Sequence, residues 1–262
     1  MLDHAHVSMD AQTGTMEGDP VLSVRGLAKA YGGRQVLRDI SLDVRKGEFV
    51  VVLGPSGTGK STLFRCITRL AEPDGGEIYY ERQRVNDLAP KQLVTLRRSF
   101  GFVFQQFNLI RRLSAMDNVL AGRLGYVPLW RALARRFTQN DRQLAMECLD
   151  SVGMLEHSYK RVDGLSGGQQ QRVAIARTLA QKSHVIIADE PIASLDPESA
   201  KTVLSILRNV AKRRAIPVLC SLHQVELAIQ VADRIIGFRD GVIVVDTTAT
   251  QFSDEDHKAI YG

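Results

Sequence analysis

The stretch "FVVVLGPSGTGKST", Phe49–Thr62, decides the fold. Its first five residues, Phe49–Leu53, form a continuous apolar run of the length expected for a buried strand. The run ends in Gly54-Pro55-Ser56-Gly57-Thr58-Gly59-Lys60-Ser61, which fits the spacing G-x-x-x-x-G-K-[ST]. A helix is expected from Lys60 to about Leu70, stopped by "EPDGG". In a strand–turn–helix, glycines let successive N–H groups turn inward around phosphate oxygens. The helix start points its positive dipole end at the same anions. Lys60 is placed to reach β- and γ-phosphates, and Ser61, followed by Thr62, to ligate Mg²⁺. A glycine turn without a ligand is the competing reading, and the strand–helix context counts against it.

Outward from this core, strands and helices alternate. Val21–Val24 and Ile40–Val44 alternate apolar and polar residues, as half-buried strands do, and flank a Gly-Gly turn. "EIYY", "SFGFVFQ", "HVIIAD" and "IPVLCSL" read as further strands. "RIIGFRDGVIVVD" reads as a hairpin turning at Asp240-Gly241. "PESAKTVLSILRNVAKRR" and "QVELAIQVA" have helical spacing. From about residue 108 the pattern becomes helical, through "RLSAMDNVLAGRL", "WRALARRF" and "DRQLAMECLDSVGM", and it continues into "GGQQQRVAIARTLAQ". The chain is therefore expected to be α/β with a mostly parallel sheet. It divides into a polar tail over 1–20, expected to be disordered, and one domain over 21–262. A helical subdomain over about 108–175 interrupts that domain.

Composition narrows the class. A hydrophobic fraction of 44% predicts a sizeable core. No apolar run approaches the roughly 20 residues that cross a bilayer. The first twenty residues have no apolar segment of the kind found in signal peptides. These features predict a cytosolic chain that reaches a membrane only by docking on another protein. Cys66, Cys148 and Cys220 are odd in number and far apart, which fits buried reduced thiols. His4 and His6 have the spacing of a weak metal clip, but a floppy tail is the better reading. The net charge of +5 comes with arginine clusters that read as solvated helix faces. No aromatic interleaving accompanies them, so no nucleic-acid partner is expected.

"VIIADEP" ends a buried strand in two acids. Neighbouring side chains on a strand point in opposite directions, so the two can take different jobs. Asp189 is the candidate Mg²⁺ carboxylate. Glu190 is the candidate general base for an attacking water, with a solvated strand-end acid as the alternative. The rigid Pro191 after it favours a positioned role.

"LSGGQQQR", followed by "VIIADEP", "SLD" and "SLHQ", resembles the ATP-binding cassette (ABC) ATPases from about Val21 onward. The resemblance implies a P-loop NTPase core of RecA type, an N-terminal antiparallel β subdomain and an inserted α-helical subdomain. It implies ATP and Mg²⁺ as ligands. Tyr31 matches the aromatic that stacks on adenine, although a strand-edge tyrosine competes on chemistry alone. Gln105 matches the glutamine near Mg²⁺ and the permease contact. Ser166, Gly167, Gly168 and Gln169 match the signature loop. Asp196, in "SLD", matches the acid at the dimer seam. His223 matches the histidine on the γ-phosphate. As the resemblance implies, then, Glu190, His223, Gln105 and Lys60 are catalytic, and Ser61, Gln105 and Asp189 hold the metal. Nucleotide is bound by Tyr31, Gly54, Pro55, Ser56, Gly57, Thr58, Gly59, Lys60, Ser61 and Thr62, with Ser166 to Gln169 and Asp196 contributed across a dimer. The sequence departs from the family pattern at Ile192 and Ala193, and in "YYERQRVNDL", which lacks the usual glycine or asparagine turn.

The helix after Ser166 offers a second anion site, which the P-loop makes redundant within one chain. In the family that site is used in trans, so the resemblance implies a homodimer. Three segments, "FNLIRRLSAMDNVLAGRLGY", "ADEPIASLDPES" and "SLHQVELAIQVADRIIGF", resemble ATP-binding proteins of phosphonate importers, with phosphite importers close behind. That implies a peripheral subunit on the cytoplasmic face of the inner membrane, bound to a permease dimer and served indirectly by a periplasmic solute-binding protein. The segment around Trp130 is expected to dock on the permease. The alternatives are a soluble ABC ATPase of repair or translation, an importer of another small polar solute, and a P-loop kinase or GTPase. The signature loop counts against the last of these.

Overall fold

A computed structural model describes residues 19–128, 130, 131, 134 and 136–262. Two sheets organise the chain. The first has strand order β2-β1-β4-β5 and is antiparallel: β1 (Leu22–Tyr31), β2 (Arg34–Val44), β4 (Gly75–Tyr80) and β5 (Gln83–Arg84). The second has order β10-β9-β3-β8-β7-β6. Its strands are β3 (Phe49–Leu53), β6 (Phe100–Phe104), β7 (Val185–Asp189), β8 (Val218–Leu222), β9 (Arg234–Arg239) and β10 (Val242–Thr248). All pairs in it are parallel except β9–β10. β3 and β8 are buried along their whole length, which explains their unbroken apolar runs.

α1 (Lys60–Ile67) follows β3. It ends before the predicted Leu70, because Thr68 turns its hydroxyl back onto the Phe64 carbonyl and Arg69 takes a left-handed φ of 53°. α2 (Pro90–Ser99) precedes β6 and has no counterpart among the predicted helices. It buries only Leu96, so its apolar face is too thin to register as a period.

Between β6 and β7 the described residues hold helices and no strand: α3 (Ala115–Ala121), α4 (Gln139–Ser151) and α5 (Gly167–Ala180). Val119, Leu149 and Val173, one from each helix, belong to a single buried cluster. The helix expected over "WRALARRF" rests partly on residues 132, 133 and 135, which lie outside the described residues. The tail over 1–20 lies outside them too, apart from Asp19 and Pro20. The chain continues with α6 (Pro197–Arg214), α7 (Val225–Val231) and α8 (Asp254–Tyr261). Cys66, Cys148 and Cys220 are all buried and unbridged.

Two hairpins differ in turn chemistry. Asp240-Gly241 turns with φ of 47° and 78°, and glycine suits that region. Between β4 and β5 the same left-handed pair is built from Glu81 (φ 47°) and Arg82 (φ 65°). The glycine-poor "YYERQR" therefore still makes a tight turn. Arg82 is also salt-bridged to Asp19.

Candidate nucleotide site

Four strands of the parallel sheet end level with one another. Phe104 pairs with Asp189, Asp189 with Ser221, and Leu53 with Leu222. The next residues along these strands are therefore brought to one edge: Gln105 after β6, Glu190 after β7, His223 just past β8 and Gly54 after β3. Ligands of open parallel sheets bind at this carboxyl edge. Residues far apart in sequence become neighbours through register alone.

The P-loop spans Gly54–Ser61 between β3 and α1. Gly54 has φ 149°, and a Cβ there would lie 2.3 Å from the Phe238 carbonyl oxygen. Gly59 has φ 108°, and a Cβ there would meet Val36 O at 2.8 Å. Neither position accepts a side chain, so the loop packs against β9 and β2 while its ligand side stays open. Ser56 and Gly57 are exposed, and Pro55 and Thr58 are partly exposed. Thr58 braces the turn by donating to Pro55 O at 2.9 Å.

Lys60 is 4% exposed and donates to Gly54 O at 2.7 Å and Pro55 O at 2.9 Å. Burial lowers its pKa from the ordinary lysine value, opposed by the charges of Glu190 and Asp189. A desolvated cation held only by main-chain carbonyls is matched to a phosphate. Ser61 and Thr62 follow on the first turn of α1 and are partly exposed.

Asp189 and Glu190 are linked by a residue that the sequence motifs do not single out. Ser221 donates to Asp189 Oδ1 at 2.8 Å and accepts from the Glu190 N–H at 2.8 Å. Glu190 has a left-handed φ of 49°, which costs a side-chain-bearing residue about 1–3 kcal/mol. The Ser221 hydroxyl holds that conformation. His223 Nε2 donates to Glu190 Oε1 at 2.5 Å. The only sequence signal for Ser221 is its place in "SLHQ", two residues before His223.

The carboxylate of Asp189, the hydroxyl of Ser61 and the amide oxygen of Gln105 are hard oxygen donors, the type a Mg²⁺ ion takes. Gln105 is exposed at the end of β6. Phe107 and Asn108 after it have left-handed φ of 55° and 49°.

Tyr31 lies beside the β1–β2 turn, 49% exposed, with Lys29 Nζ 5.1 Å from its ring centroid. Val36 and Leu37 of β2 press on Gly59, which brings this hairpin to the phosphate loop.

The signature residues are presented differently. Ser166 is exposed and N-caps α5, its hydroxyl accepting from Gln169 N at 3.3 Å while Gln169 Oε1 accepts from Ser166 N at 3.0 Å. This capping box leaves the Gly167 and Gly168 N–H groups at the head of a helix, where intrahelical partners are lacking. Among the described residues, no hydrogen bond joins Ser166–Gln169 to Gly54–Thr62. Asp196 N-caps α6, accepting from Ser199 N at 2.9 Å. Its side-chain and backbone bonds at Ser199 hold its pKa below the usual carboxylate range.

The arrangement matches known proteins. The family model described as "ABC transporter" matches residues 37–193. The chain is similar to the hypophosphite import ATP-binding protein HtxD of Stutzerimonas stutzeri, at 49% identity over 243 residues, 93% of this chain and 71% of that protein. It is similar to the phosphonates import ATP-binding protein PhnC 2 of Oceanobacillus iheyensis, at 45% identity over 92% of this chain and 96% of that one. Among solved structures it is similar to the dimeric, post-hydrolysis state of the ATP-binding cassette MJ0796 bound to ADP and Pi. That match has a TM-score of 0.76 and 33% identity, over 88% of this chain and 100% of that one.

Proposed function

This chain belongs to the ABC transporter family, and on that premise we propose that it hydrolyses ATP to drive import of phosphonate or a related phosphorus oxyanion through a partner permease. The observation that carries the solute class is the near-full-length similarity to import ATP-binding proteins named for hypophosphite and phosphonates. The levelled strand ends support the chemistry, because they place a phosphate cradle, two carboxylates and a histidine on one edge.

In this reading the triphosphate replaces the Gly54 and Pro55 carbonyls as the partner of Lys60, and adenine stacks on Tyr31. Ser61, Gln105 and Asp189 would hold Mg²⁺, which would supply positive charge against the phosphates. Glu190 orients the attacking water and takes its proton as the bond to the β,γ-bridging oxygen breaks. His223 leaves Glu190 for the γ-phosphate when nucleotide binds, which frees the carboxylate to act as base.

Ser166, Gly167, Gly168 and Gln169 cap the γ-phosphate held by a second copy of the chain, with Asp196 at the seam. The similarity to a dimeric cassette bound to ADP and Pi supports a site made by two chains, and among the described residues no hydrogen bond joins these residues to the chain's own P-loop. Backbone dipoles and the Ser166 hydroxyl then stabilise transition-state charge only in the closed dimer.

Among the described residues no helix is long and apolar enough to cross a membrane. The similarity to import ATP-binding proteins supports a peripheral subunit on the cytoplasmic face of the inner membrane. A groove of about 540 Å³ lies between α2, β6, the end of α3 and α5. Phe102, Phe104, Val94, Leu70 and Tyr126 line it, and Arg177 sits at its wall. Val94 and Leu70 are more than half exposed. This groove is a dock for the permease dimer, as is the segment around Trp130. A periplasmic solute-binding protein delivers the solute to the permease.

The test is uptake by vesicles reconstituted with this chain, a permease of phosphonate-import type and a solute-binding protein. ATP-dependent accumulation of a phosphonate, hypophosphite or phosphite supports the proposal. ATP hydrolysis stimulated by an unrelated solute, with none of these transported, refutes the solute class.

A further inference from the structure

We propose that Gln171 is a positioning residue that ties α5 to both loops of its own chain's nucleotide site, so that filling one site sets the signature loop offered to the other. This rests on the two-chain site described above. Gln171 lies further along the same helix as Ser166, on the buried face, with no exposed surface. Its Nε2 donates to Pro191 O at 2.7 Å and to Phe104 O at 3.4 Å. Pro191 directly follows Glu190, and Phe104 directly precedes Gln105. One side chain therefore spans the base-bearing loop, the metal-side glutamine loop and the helix whose cap reaches the partner's nucleotide.

The amide orientation follows from its partners. A reversed amide would set oxygen against two carbonyl oxygens. In the observed orientation both N–H groups are directed to main chain, and Oε1 is buried without a partner, alone among buried side-chain polar atoms of the described residues. An apolar residue of the same length would avoid that cost. Packing therefore gives no reason for an amide here, whereas a link between two loops does.

Arg177 reinforces the link from the same helix. It donates to Asn108 O at 2.5 Å and Phe107 O at 3.3 Å, on the two left-handed residues after Gln105. Burial lowers its pKa from the ordinary arginine value. With Gln171 on Phe104 and Arg177 on Phe107 and Asn108, the loop bearing Gln105 is strapped to α5 on both sides. A nucleotide that draws in Gln105 and Glu190 therefore moves Ser166 with them. Gln171 touches no substrate and acts through these loops.

The readout is cooperativity, which a merely structural role leaves unmoved. The Mg-ATP dependence of hydrolysis by the full chain is titrated for wild type and for Gln171→Met, which keeps length and loses both donors. The wild type is expected to be sigmoidal with a Hill coefficient approaching about 2, and Gln171→Met to fall towards about 1. Gln171→Leu serves as a second apolar variant, with all titrations run where circular dichroism shows the proteins folded. A wild-type coefficient retained in both variants overturns the proposal, as does a hyperbolic wild type. Dimer formation in the Glu190→Gln background is measured alongside. Its absence would refute the two-chain site itself, while its presence with unchanged cooperativity refutes only the role of Gln171.

Discussion

His223 Nε2 donates to Glu190 Oε1 at 2.5 Å, across the gap between the ends of β8 and β7. This pairs the residue proposed as base with the histidine proposed to contact the γ-phosphate. Glu190→Gln should lower kcat by about 10²–10⁴, the range of a general base, while ATP binding survives. His223→Ala should lower kcat in the same direction with little change in ATP affinity. Steady-state phosphate release and equilibrium nucleotide binding check both. A Glu190→Gln enzyme that turns over normally would remove Glu190 from the mechanism.

Ser221 joins the carboxylate of Asp189 to the main chain of Glu190. Ser221→Ala leaves the Glu190 N–H and Asp189 Oδ1 without this partner. One such bond is worth about 0.5–1.5 kcal/mol, so kcat should fall up to about tenfold. The KM for ATP should change little, because Lys60 and the P-loop are untouched. Kinetics over a range of Mg²⁺ concentrations would also show whether Asp189 has lost its orientation, as a higher Mg²⁺ requirement.

Ser166→Arg places a bulky cation on the exposed cap of α5. Turnover should be lost while binding of ATP to the chain's own P-loop is retained. Fluorescent-nucleotide titration beside an ATPase assay separates the two, and unchanged turnover would refute the capping role.

Acid stability should report on the Arg123–Asp141 pair, 2.9 Å apart with both side chains 10% exposed. Burial pushes the Asp141 pKa up, but bonds from Arg123 and Thr138 outweigh it and hold it below the usual carboxylate range. A depressed folded pKa contributes stability that is present above the unfolded value of about 4 and lost as pH falls through the folded value. Asp141→Asn should therefore cost about 3 kcal/mol at neutral pH. Its stability should also decline less than that of the wild type below about pH 4. Urea unfolding at several pH values measures both slopes.

Much of this was legible before any coordinates, for physical reasons. Phe49–Leu53 and Val218–Leu222 are buried on both faces, so their apolar runs are unbroken. α6 begins at Asp196-Pro197, a side-chain cap followed by a residue suited to the first turn. β1 and β2 run much longer than their alternating segments because the pairing is shifted by irregularities between Val24 and Ala30, which break the period of two. Ser221 and Gln171 were not legible as site residues. Their roles come from strand register and from carbonyls that chain folding brings to them, and neither leaves a pattern in spacing.

A nucleotide site completed by a second copy makes association depend on ATP. Light scattering on the Glu190→Gln chain is measured with and without saturating Mg-ATP. A monomer without nucleotide and a dimer with it are expected, and adding Ser166→Arg should abolish the dimer. A Glu190→Gln chain that binds Mg-ATP and remains monomeric would contradict the two-chain site.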